Sequence, residues 1–114
     1  MMYVWVTFQR EGFHCYPRAG TDESLKDVNF LQYRHRHVFH FRVDIEVFDD
    51  DRELEIIMFK RYCEGLLGYP IELDNKSCEM LARDLFSHIS SKYPGRKIKV
   101  SVSEDNENGA VLEA

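Results

Sequence analysis

Three histidines are the residues of this sequence best placed to do chemistry. His35 and His37 open the run Tyr33-Arg34-His35-Arg36-His37-Val38-Phe39-His40-Phe41, which reads as β-strand up to about Phe48. Residues two apart on a strand project from one face, so these imidazoles point the same way, roughly 7 Å apart at the backbone. Two imidazoles so placed can turn inward to one ion. His14 lies 21 residues earlier, at the end of the preceding apolar segment, where a hairpin would return it as a third ligand. His40 has the opposite parity and faces away. Spacing alone leaves a second reading open: two satisfied polar residues at a strand start and one unrelated loop histidine.

The elements that must position these side chains can be read from periodicity. Residues 2–9 are rich in β-branched and aromatic types and read as a strand. Residues 15–34 carry Pro17, Gly20, Asp22 and Ser24 among mixed polar types, which predicts a long loop with a helical turn. Loops of that length inside a compact domain are usually functional. From His35 onward Phe39, Phe41, Val43, Ile45 and Val47 alternate with His40, Arg42, Asp44 and Glu46, the pattern of a long half-buried strand. Asp49-Asp50-Asp51 then predicts an N-cap for a helix over 52–66. A second helix starts at Ser77, carries Leu81, Ala82, Leu85, Phe86 and Ile89 as its buried stripe, and stops at Tyr93-Pro94-Gly95. A strand at 97–104, a turn over 105–109 and a short strand at 110–113 complete the chain. The order ββααββ predicts an α+β fold: a four-stranded antiparallel sheet with both helices packed on one face.

Composition narrows the function classes. A chain of 114 residues predicts one domain, 1–114, with a modest core. At 44% hydrophobic and 31% charged it reads as soluble and globular. A formal net charge of −5 argues against a nucleic-acid partner. No apolar run approaches the roughly 20 residues that span a bilayer, so no membrane partner is expected. The N-terminus has no basic region and no small-residue cleavage site, unlike a signal peptide. Cys15, Cys63 and Cys78 are an odd count without framework spacing, which favours a reduced, cytoplasmic setting.

Three stretches together resemble the 6-pyruvoyltetrahydropterin synthase and 6-carboxytetrahydropterin synthase family, which has the tunnelling or T-fold. His14 followed by His35-Arg36-His37-Val38-Phe39 is similar to the family's zinc histidines. Lys76-Ser77-Cys78-Glu79-Met80-Leu81-Ala82 is similar to its helix opening. In Lys99-Val100-Ser101-Val102-Ser103-Glu104, the last residue falls on the family's ring-anchoring glutamate. The resemblance implies a Zn²⁺ cofactor on His14, His35 and His37, and a pterin or purine-like ligand held by Glu104. It further implies a homo-oligomeric β-barrel, trimeric or hexameric.

Two departures bear on the reaction. Asn29 and Phe30 stand where the synthases carry a catalytic cysteine. Gly68-Tyr69-Pro70-Ile71-Glu72-Leu73-Asp74 stands where they carry an Asp-His pair. A base would then have to come from Cys15, Asp22 or Asp27 in the long loop. Two functions follow from the resemblance: zinc-dependent conversion of a pterin or purine-derived substrate, or a catalytically inactive T-fold protein that binds such a ligand or serves as an assembly module. For single residues the alternatives are plainer. Glu104 could be a solvated strand-end carboxylate and Cys15 a small residue beside a turn. Arg34, Arg36, His40 and Arg42 could meet ligand phosphates or pair with Asp44, Glu46 and neighbouring subunits.

Overall fold

The computed structural model describes residues 1–114. Its strands are β1 (Met2–His14), β2 (His35–Val47), β3 (Ile71–Asp74), β4 (Ile98–Glu104) and β5 (Asn108–Glu113), and its α-helices are α1 (Ile56–Glu64) and α2 (Cys78–Lys92). Between β1 and β2 run two 3₁₀ segments, Pro17–Gly20 and Glu23–Gln32. The sheet order is β3-β1-β2-β4-β5. No helix is long and apolar enough to cross a membrane.

The α+β class stands, but the four-stranded antiparallel sheet does not. The sheet has five strands and is mixed, because β3 pairs parallel to the end of β1 through Gly12, Phe13 and His14. In β3 only Ile71 and Leu73 are buried, alternating with exposed Glu72 and Asp74. Four residues give too short an alternation to stand out beside Tyr69-Pro70.

β1 runs past residue 9 to His14. Its partner β2 is equally long, and the antiparallel ladder continues unbroken from Met2 opposite Val47 to His14 opposite His35. That ladder keeps the polar run Gln9-Arg10-Glu11 extended although its composition does not favour a strand.

Helix α1 starts at Ile56, not at 52, and Glu55 caps it by accepting the Met58 N–H at 2.7 Å. The acidic cluster is used otherwise. Asp49 Oδ1 accepts from the Asp51 N–H, and the Glu53 carboxylate accepts from the N–H groups of Phe48 and Asp49. Arg52 has a left-handed φ of 58°, which stops any helix from passing through it. Ser77 caps α2 as its sequence predicts, accepting the Met80 N–H at 3.2 Å.

Both helices lie on one face of the sheet. Phe8, Phe41, Val43, Ile45 and Val100 from the strands pack against Phe59 of α1 and Leu81, Leu85 and Ile89 of α2 in one buried cluster. The opposite face is polar, carrying Thr7, Gln9, His40, Arg42, Ser101 and Ser103 around an open concavity.

Candidate metal centre

The β1–β2 ladder ends at the histidines. His14 closes β1 directly opposite His35, which opens β2, and Gly12 stands opposite His37. A Cβ on Gly12 would fall 2.8 Å from the Phe39 ring, so this glycine leaves room for Phe39 to pack beneath the site. That ring meets His14 and His37 edge-on, at centroid distances of 5.4 and 5.7 Å. The imidazole centroids lie 4.6 Å apart for His14–His35, 4.9 Å for His35–His37 and 5.2 Å for His14–His37. One ring nitrogen from each lies within 4.8 Å of the other two. The group can hold a metal ion.

Every ring is fixed through its Nδ1. That atom of His14 donates to the Lys76 carbonyl at 3.0 Å, that of His35 to the Tyr33 carbonyl at 2.7 Å, and that of His37 to Asp105 Oδ2 at 2.7 Å. Carbonyls and carboxylates only accept, so Nδ1 carries the proton and Nε2 of each neutral ring keeps its lone pair. Metal-binding histidines are commonly oriented in this way from behind. Asp105 is held in place by accepting the Val38 N–H as well. The hydrogen bond from His37 and that from Val38 keep its carboxyl below the ordinary value, so it is ionised. His37 Nε2 is buried with no hydrogen-bond partner, and such an orphan calls for an explanation. A cation supplies one. Three neutral imidazoles suit zinc, copper, iron or nickel.

A cleft of about 550 Å³ opens beside the histidines, lined by His14, Cys15, His35, Cys78 and Glu104 among others. Glu104 closes β4 opposite Phe39. Its Oε1 lies 3.4 Å from His14 Nε2 and its Oε2 3.5 Å from His37 Nε2. Cys78 Sγ lies 3.8 Å from Oε1 and donates to it. Burial, reinforced by the nearby carboxylate of Glu104, pushes the Cys78 thiol up to about 12. Burial takes Cys63 to about 12 as well. Neither is a thiolate nucleophile at neutral pH.

The remaining candidates divide. Cys15 lines the cleft. Asp22 is occupied in capping the second 3₁₀ segment through Ser24 and in an ion pair with Arg18. Asp27 is exposed on that segment and is not among the cleft residues. The three arginines of the cationic row are paired off along the sheet, Arg34 with Glu72, Arg36 with Glu11 and Arg42 with Asp44, while His40 lines the concavity of the polar face. Asp105 and the Lys76 carbonyl have no sequence signal of their own. They become visible only when the β4–β5 turn and the β3–α2 connection are folded against the histidines.

Compared with known proteins, the chain matches no family profile and no curated protein.

Proposed function

We propose that this chain is a divergent T-fold protein of the pterin synthase type, binding zinc at His14, His35 and His37 and a pterin or purine-derived heterocycle in the adjoining cleft. The observation that carries this reading is the convergence of three imidazoles, each anchored through Nδ1, beside the carboxylate of Glu104. Bound zinc supplies Lewis acidity toward a carbonyl or hydroxyl oxygen of the ligand. Lys76, Tyr33 and Asp105 orient the three rings. Glu104 accepts N–H groups of the heterocycle through charge-assisted hydrogen bonds. Among the loop candidates for a base, Cys15 is the one that lines the cleft.

Ligand binding without turnover is a second reading, and two observations favour it. Asn29 and Phe30, where the synthases carry their cysteine, are exposed on the 3₁₀ segment, and residues 71–74 form β3 where the Asp-His pair belongs. The three free cysteines suit a reduced compartment under either reading.

Assembly into a ring belongs to the same proposal. β3 covers β1 only from Gly12 to His14, so the outer side of β1 from Met2 to Glu11 is an open edge, and β5 is the other. Exposed Trp5, Ile56 and Ile57 flank the β1 edge. Open edges need partners, and a trimer or hexamer of this chain would supply them.

Thermal-shift measurements with pterins and guanine nucleotides, with and without added zinc, test the ligand. A ligand present at a hundred times its Kd stabilises the native state by about 2.7 kcal/mol. A rise in Tm that needs zinc supports the reading, and no rise with any of these compounds contradicts it. Turnover assays on a stabilising compound then separate the two readings.

A further inference from the structure

We propose that Glu104 is itself a metal ligand, closing in the ligand-free protein the fourth position that His14, His35 and His37 leave. This rests on the three-histidine centre proposed above and changes the role of its carboxylate.

The physical argument starts from the lone pairs. With each Nδ1 donating to a fixed acceptor, neutral His14 and His37 present Nε2 lone pairs. Those two atoms face the oxygens of Glu104 at 3.4 and 3.5 Å. Lone pairs turned toward a carboxylate repel it unless a cation lies between them. A proton alone would draw the pair to the 2.7–2.9 Å of a charge-assisted hydrogen bond, and the observed separations are longer. Two ligands of a tetrahedral ion with bonds of roughly 2.0–2.1 Å stand about 3.4 Å apart. His14 and His37 stand at that length from Glu104, each against a different oxygen, so metal binding would turn the carboxylate until one oxygen faces all three rings.

Two further contacts aim the carboxylate. The protonated Cys78 thiol, at the first turn of α2, donates to Oε1, and the pairing of Glu104 with Phe39 and Asn108 fixes the backbone beneath it. The buried, unpartnered Nε2 of His37 gains its partner in the same arrangement. A carboxylate bound to the ion cannot also accept from a heterocycle with the same lone pairs. Ring binding would therefore require Glu104 to leave the metal, with a donor of the ligand taking its place and the freed carboxylate accepting from the ring N–H groups.

Metal titration of the full chain tests this, with Zn²⁺ competed against a chelator and Co²⁺ followed by its visible absorption. The proteins are the wild type, Glu104→Gln, Glu104→Asp and His37→Ala. The proposal expects Glu104→Gln to weaken Zn²⁺ binding by at least about ten-fold, the low end of what loss of even an outer-shell partner costs. The Co²⁺ band should shift as solvent replaces the carboxylate. Glu104→Asp, one methylene shorter, should weaken binding as well, which guards against a Gln variant that folds poorly. If both Glu104 variants match the wild type in affinity and spectrum while His37→Ala loses the metal, Glu104 is not a ligand and the three-histidine centre stands without it. If the wild type itself binds neither ion, the three-histidine centre fails and this proposal falls with it.

Discussion

A histidine is a dependable ligand only when something else holds its other nitrogen, and the single residue that bears most on the centre is one that does not touch the metal point. Asp105 accepts from His37 Nδ1 while also accepting the Val38 N–H. Replacing it by Asn would turn an amide N–H toward His37 Nδ1, forcing the proton to Nε2 and taking its lone pair out of use. Asp105→Asn should therefore weaken metal binding by about 10–100-fold, read by chelator competition, while the melting curve of the metal-free protein stays cooperative. An unchanged affinity would mean that the tautomer is not set here. The shared direction of His35 and His37 is legible from sequence because a strand has period two. The role of Asp105 is not, since its turn Asp105-Asn106-Glu107-Asn108 could face anywhere until β4 and β5 are packed.

Among the elements, β2 and α2 are legible because long alternation and a capped amphipathic stripe leave one interpretation. α1 and β3 are less so. Asp49 and Glu53 close a turn and leave the capping of α1 to Glu55, and β3 is too short to show a period. Glu53 is the centre of that turn. The N–H of Phe48 donates to it, Asp49 does the same, and Arg96 pairs with it, and together these hold its carboxyl below the ordinary 4.5. A depressed folded-state value means the stabilisation is complete above the unfolded value and fades as pH falls through the folded one. Glu53→Gln should thus lower Tm at neutral pH, with the gap to wild type closing as pH falls below the ordinary carboxylate value; a constant gap would contradict the assignment. At the β4–β5 hairpin, a Cβ on Gly109 would lie 2.0 Å from the Val102 carbonyl oxygen. Gly109→Ala should destabilise the fold by about 1–3 kcal/mol, the scale of overpacking, and urea titration measures it.

At the scale of the whole molecule, the sheet has a helix-covered apolar face, a polar face and two open edges. Exposed Trp5, Ile56 and Ile57 beside the β1 edge are the kind of surface that a second copy covers. Light scattering at micromolar concentration should give a trimer or hexamer, and a Trp5→Glu, Ile57→Glu variant should shift toward monomer. A monomeric wild type would remove the ring. The sequence shows why edges exist but not which neighbour meets them, because pairing between copies leaves no periodicity within one. The claim on which the rest depends is the metal centre, and elemental analysis of freshly purified protein tests it most directly. The account predicts one zinc per chain in the wild type and none in a folded His35→Ala, His37→Ala variant. A metal-free wild type that also takes up no zinc on titration, or a double variant that keeps its metal, would contradict it.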